Sequence, residues 1–204
     1  EGEQDLDYHG PDFGWWRIPD QYSLAKLDAL ALGDEKRVPV FAFFPTVNTH
    51  IPFRPTPPYQ PDWQRVLSAH PFDDAAIAAS LSHAPDWSNL RVPYAESFEY
   101  TLRFVAGYLR AHSGKDVVLV LVGDHQPAAY VTGPGARWDV PVHVITSRDD
   151  VVTSLLDAGF VSGVELAPKQ PAITSMRALT GLLLRAFDSA GSTPTYGSGG
   201  DSVR

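Results

Sequence analysis

The sequence predicts an α/β protein with a largely parallel sheet and helices on both of its faces. Three short apolar runs, VPVFAFF (38–44), VVLVLV (117–122) and VPVHVIT (140–146), read as strands. The first two lack polar alternation, the mark of strands covered on both sides. Amphipathic helical patterns lie between and around these runs, and helix alternating with buried strand is the pattern of a layered α/β fold.

The first helix is expected over 20–32, with Asp20 as N-cap, Leu24, Leu27 and Ala31 on one face, and Gly33 as its stop. The strand 38–44 follows. Residues 54–93 then form an insertion rich in proline that carries PDW twice, at 61–63 and 85–87, around a short helical stretch near 73–82. So long a segment with little regular pattern is either a surface excursion pinned by Trp63 and Trp87 or a functional loop. A helix over 94–111 puts Phe98, Leu102, Val105 and Leu109 at helical spacing, with Glu99 and Arg103 as an i,i+4 pair. After the strands 117–122 and 140–146, SRDDVVTSLLDAG opens on a capping-type Ser147 and Asp150 and ends at Gly159. The last helix, 173–188, turns Met176, Leu179, Leu183 and Phe187 inward. Residues 1–188 thus read as one domain, and the Gly/Ser-rich 189–204 as a disordered tail.

Charge and composition narrow the function classes. The chain of 204 residues has a formal net charge of −8, which gives a nucleic-acid role little electrostatic support. There is no Lys/Arg cluster suited to an anionic membrane surface. Cysteine is absent, which removes disulfides, thiolate zinc sites and cysteine nucleophiles. No apolar run approaches the roughly 20 residues needed to span a bilayer. An anionic substrate would have to be held locally, by a metal ion or one or two arginines. The elbow of serine hydrolases, the Walker A loop, the dinucleotide fingerprint and the H-E-x-x-H motif are all missing.

Chemistry is concentrated in three places. In VVLVLVGDHQP, Asp124 and His125 follow a buried strand at once, and ligands of open α/β sheets bind beyond the carboxyl ends of strands. A carboxylate and an imidazole converging there suit Zn²⁺ or Mn²⁺; alternatively, Asp124 caps a turn and His125 bonds a nearby carbonyl. In FFPTVNTHIPF (43–53), Asn48 and His50 also follow a strand. His50 could donate to an anionic oxygen or act as a general acid, or serve as a structural loop histidine. In DFGWWRIPDQ (12–21), Arg17 beside Trp15 and Trp16 offers a guanidinium on an aromatic platform for phosphate or sulfate oxygens; the plain alternative is a surface ion pair. His9, His70, His83, His112 and His143 show no comparable setting.

Taken in order, FGWWRIPDQYSLAKLDAL, PVFAFFPTVNTHIPF, VPYAESFEYTLRFVAGYL, DVVLVLVGDHQP and VPVHVI resemble sulfatase-like proteins of the alkaline phosphatase superfamily, above all its lipoteichoic-acid-synthase and phosphoglycerol-transferase branch. The resemblance covers most of residues 12–146. It implies that Asp124 and His125 are metal ligands and that His50 contacts the transferring group or its leaving group. It also implies that Arg17 and Trp16, with Asn48 nearby, help to recognise the substrate. The implied cofactor is a divalent metal (Mn, Zn, Mg or Ca). The implied substrate is a sulfate or phosphate ester, or an envelope lipid or glycan. The implied location is the extracytoplasmic face of a bacterial membrane, reached through an N-terminal anchor of the parent protein.

The pattern departs from the family in two respects. Gln126 stands where glycine is usual, and Thr46 and Thr49 are misplaced for the nucleophile. The chain is therefore expected to be the C-terminal portion of a larger enzyme. Two rivals remain: a non-catalytic module that binds envelope glycan or a protein through Trp15, Trp16, Trp63 and Trp87, and an unrelated metal hydrolase using His70, Asp73 or Asp74.

Overall fold

A computed structural model describes residues 6–14, 17–32, 39–164 and 172–191. They form a mixed α/β structure that divides into two compact units, Glu1–Ser113 with Pro127–Ala136, and Gly114–Gln126 with Arg137–Arg204. The sheet among the described residues has two strands, and they run antiparallel.

In the first unit, α1 spans Asp20–Leu27 and continues into a π-helical turn, Asp28–Leu32. Asp20 is the first helical residue rather than the N-cap, which is Pro19. The buried side of α1 is Asp20, Gln21, Tyr22 and Ala25, while Leu24, Leu27 and Ala31 are half-buried. The difference has a physical cause: the first turn faces other chain segments that supply hydrogen-bond partners, so polar residues are accepted inside. Of the strand expected over 38–44, residues 39–44 are described; they form neither strand nor helix, and Phe41 and Phe43 are exposed.

Residues 54–93 hold more structure than their composition suggests. Helix α2 (Trp63–Val66) is capped by Asp62, whose Oδ1 accepts the Gln64 N–H at 3.0 Å. Helix α3 (Asp74–Leu81) follows. Trp63 packs on the cluster of Tyr8, Ile18, Tyr22, Ala25 and Val66, but Trp87 is exposed and pins nothing.

Helix α4 spans Arg91–Ala111 and begins earlier than its pattern suggests, with Pro93 in the first turn, where a missing N–H costs no intrahelical bond. Its buried stripe is Ser97, Tyr100, Thr101, Phe104, Val105 and Tyr108. Phe98 and Leu102 lie outside it, because two tyrosines with polar tips take the inner face and find partners there. The end of α4 is tied to the π-helical turn. Tyr108 Oη donates to Asp28 Oδ1 at 3.1 Å, and His112 Nε2 lies 3.0 Å from the same oxygen. His112 therefore has a structural role that its sequence setting did not announce.

In the second unit, β1 (Val118–Val122) pairs with β2 (Val142–Thr146) in the register Val118↔Thr146 to Val122↔Val142. Both strands are half-buried, not sandwiched. In the first unit, the chain between them forms the one-turn helix α5 (Ala129–Thr132). Helix α6 (Asp149–Asp157) closes as expected at Gly159: φ is +98°, the Phe160 N–H reaches Leu155 O and the Gly159 N–H reaches Leu156 O, a Schellman end that glycine accommodates best. Its N-cap is Arg148 rather than Ser147. Helix α7 (Met176–Gly191) packs Leu182 and Ala186 against Val151 and Leu155 of α6. Leu179 is buried, whereas Met176 and Phe187 are exposed. The tail expected from residue 192 onward lies outside the described residues.

The rotated stripe of α4 gives a direct test. Phe104 is 0% exposed and Phe98 42%. Phe104→Ala should cost about 3–5 kcal/mol and Phe98→Ala about 1 kcal/mol or less, measured by urea denaturation. Equal losses would contradict this orientation of the helix.

Candidate functional site

Asp20 and Gln21 begin α1, and helix starts leave N–H groups without intrahelical partners. Here two of those groups are taken by side chains from afar. The Asp20 N–H donates to Asn48 Oδ1 at 2.9 Å, and the Gln21 N–H to Tyr100 Oη at 3.3 Å. The exchange is reciprocal: the Asp20 carboxylate accepts the Val47 N–H at 3.0 Å and the Asn48 N–H at 2.9 Å. Ser97 Oγ completes the clasp by donating to the Asn48 carbonyl. Beside it, Gln21 Oε1 accepts the Gln60 N–H at 2.9 Å and Gln21 Nε2 donates to Gln60 O at 2.6 Å.

This network shapes the turn that carries His50. The His50 N–H reaches Val47 O and the Phe53 N–H reaches His50 O, both at 3.0 Å. The imidazole Nδ1 meets Ile51 O at 2.7 Å; a carbonyl can only accept, so Nδ1 carries the proton there, on an exposed residue. Asn48 is 1% exposed. It holds the turn rather than offering itself to a ligand, although its buried Nδ2 has no hydrogen-bond partner among the described residues. Arg17 forms an ion pair with Asp12, Nε to Oδ1 at 2.8 Å, with both side chains more than half exposed. Trp15 and Trp16 lie outside the described residues, so the aromatic platform does too.

In the second unit, Gly123 extends the ladder by donating its N–H to Pro141 O at 3.2 Å. The chain then turns, and Asp124 and His125 come to the same side: Nε2 and Oδ2 are 3.4 Å apart, on side chains 69% and 88% exposed. Two ligands on a tetrahedral ion with bonds of about 2.0–2.2 Å lie about 3.3–3.5 Å apart, so the pair fits two vertices of such a centre. The ring is also oriented correctly. His125 Nδ1 donates to Gln126 O at 2.8 Å and Asp124 Oδ1 accepts the His125 N–H at 2.9 Å, so Asp124 caps the turn and His125 bonds a nearby carbonyl; an Nδ1–H bond to a carbonyl is also the outer-shell arrangement of metal-bound histidines. Gln126 is held in turn, because its side-chain Nε2 donates to Asp139 O.

Among the described residues no group of three or more His, Cys, Asp or Glu side chains could hold a metal ion. Asp124 and His125 would supply two ligands, and Asp73 of the 54–93 segment is engaged with Arg65 at 2.7 Å. Sequence reasoning missed Asp20, Gln21, Ser97 and Gln126. A signal was available for the first two: polar residues at the start of an amphipathic helix, followed by Tyr22.

Burial pushes the Asp20 carboxyl up to about 6, against the pull of the Val47 and Asn48 N–H groups. A carboxyl raised above its ordinary value of 3.8 favours the folded state fully below that value and loses this contribution as the pH rises through about 6. The stability of the native chain relative to Asp20→Asn should therefore fall by about 2 kcal/mol between pH 4 and 7, read from urea curves over a pH series. A flat difference would show that the buried carboxyl is not uncoupled from water.

No protein-family model matches this chain, and comparison with curated proteins and with solved structures likewise gives no match.

Proposed function

We propose that the chain is part of a metal-dependent sulfatase or phosphotransferase, the part that supplies Asp124 and His125 as metal ligands and His50 as a substrate-contacting group. The observation that carries the reading is the Asp124–His125 pair, with its ligand-like separation of 3.4 Å and its imidazole tautomer set by Gln126. The same residues also brace the turn, since Asp124 Oδ1 accepts the His125 N–H at 2.9 Å. The ordered motifs of residues 12–146 add the reaction class: transfer of a phosphoryl, sulfuryl or phosphoglycerol-type group from an ester.

On this reading each residue has a definite task. Asp124 and His125 bind the ion, which when present would stabilise negative charge on the transferring group. His50 presents Nε2 to an ester oxygen and can hold or deliver a proton there. Arg17 can exchange Asp12 for a substrate oxyanion, because an ion pair so exposed is worth about 1 kcal/mol or less. With a formal charge of −8, attraction of an anionic ester depends on such local groups. The reading assigns residues 39–44 and β1 to a larger, largely parallel sheet of the alkaline phosphatase kind. Phe41 and Phe43 are exposed, and two residues apart they would share one face of such a strand and call for cover there. It also places the parent protein at the extracytoplasmic face of a membrane; among the described residues no helix is long and apolar enough to cross one.

Two ligands make a weak site, so Mn²⁺ should bind with a dissociation constant of about 1 mM or weaker. Its paramagnetic broadening should centre on the Asp124 and His125 resonances and vanish in Asp124→Ala. Tight 1:1 binding that survives this substitution would overturn the assignment. The chain by itself should not turn over aryl phosphate or sulfate esters, since no residue in it matches the nucleophile; turnover lost in Asp124→Ala would place the whole centre within this chain.

A further inference from the structure

Three side chains meet where α4 ends, and their hydrogen bonds require a proton that a neutral imidazole and a carboxylate do not hold. His112 Nδ1 lies 2.8 Å from the Tyr108 carbonyl, which can only accept, so Nδ1 carries a hydrogen. The other ring nitrogen, Nε2, lies 3.0 Å from Asp28 Oδ1 and 3.1 Å from Oδ2. With its one hydrogen on Nδ1, a neutral ring would turn the Nε2 lone pair against both carboxylate oxygens. The contact is bonding only when a further hydrogen sits between them. Tyr108 Oη donates to Asp28 Oδ1 at 3.1 Å, a bond that favours the carboxylate form and so leaves that hydrogen on the imidazole. The His112 side chain is 8% exposed, so the ring has little water to fall back on if the bond is lost.

We infer that His112, Asp28 and Tyr108 form a pH-sensitive latch, closed by this one proton, that fastens the π-helical turn Asp28–Leu32 to the end of α4. Asp28 is the charged group that the turn presents to the ring. Tyr108, its ring 4.2 Å from the imidazole, is the titratable group from α4; burial and the neighbouring Asp28 push its hydroxyl up, so it remains a donor throughout. From α2 comes the uncharged Trp63, packed on Tyr108 at 5.6 Å. Among the described residues no second cation pairs with Asp28, so nothing replaces the imidazolium when it is discharged. The sign follows from the proton count. The closed latch needs the proton, whereas an open one releases it to water in the ordinary histidine range, about pH 5–8. Closure is therefore fully favoured below that range and weakens as the pH rises through it. The inference does not depend on the proposed metal site or on His50, which use none of these residues.

The test is native-state hydrogen exchange of the full chain over a series from pH 6 to 9, read together with long-range ¹H–¹⁵N spectra of the imidazole rings. At pH 6 both ring nitrogens of His112 should carry hydrogens. On going to pH 9, protection of the amides of residues 29–32, corrected for the intrinsic exchange rate, should fall about tenfold, the effect of one buried bond left unmade. The fall should coincide with loss of the Nε2 hydrogen. His112→Gln, whose amide donates to Asp28 at any pH, and Asp28→Asn, whose amide can donate to the neutral ring, should each keep the dispersed spectrum and remove the fall; either one suffices if the other does not fold. The latch is overturned by a His112 ring that holds a single hydrogen at pH 6, by protection that stays level while Nε2 loses its hydrogen, or by a fall that persists in both variants.

Discussion

The first unit depends on the reciprocal clasp between Asp20 and Asn48. A helix start normally needs a local side chain to accept its free N–H groups, yet Pro19 at the N-cap of α1 has none to give. Asn48, 28 residues away, serves instead. The Asp20 side chain, released from capping its own helix, closes on the Val47 and Asn48 amides. Each bond satisfies a group that would otherwise be buried without a partner, and leaving one such group unpaired costs about 1–3 kcal/mol. The helix and the loop therefore hold each other: neither has its backbone satisfied alone.

Gln21 repeats the arrangement with Gln60, so two consecutive residues fasten the two loops that flank the 54–59 stretch. This explains why a proline-rich segment is ordered with little regular structure of its own. Its backbone polar groups find partners in side chains where a sheet ladder would normally provide them. It also fixes the base of the His50 turn from below, while the imidazole stays at the surface with one nitrogen committed to Ile51 O.

The second unit solves the analogous problem with a strand end. Gly123 continues the β1–β2 ladder by one bond to Pro141 O, and the side chain of Gln126 reaches back to Asp139 O. The turn between them is braced at both ends, which brings two adjacent side chains to one side where a continuing strand would have sent them to opposite faces. The His125 ring is oriented by the backbone carbonyl of Gln126, a bond any residue could accept, whereas the side-chain bond of Gln126 to Asp139 O braces the turn.

The sequence by itself determined the kinds of element and several of their limits. The helix ending at Gly159 was legible because a positive φ at that place favours glycine, and β1 and β2 because β-branched runs bounded by Gly and Pro leave little choice. The adjacency of Asp124 and His125 after a strand was legible for the same local reason. Only the tertiary structure decided which faces are inside. Tyr100 and Tyr108 displaced Phe98 and Leu102 from the buried stripe of α4, since their hydroxyls found Gln21 and Asp28 across the unit, and such partners lie about 80 residues away. The antiparallel pairing of β1 with β2, and the work of Asp20, Gln21 and His112, were hidden for that reason: periodicity reports local amphipathicity, whereas the partner that makes a buried polar group tolerable is fixed by long-range packing.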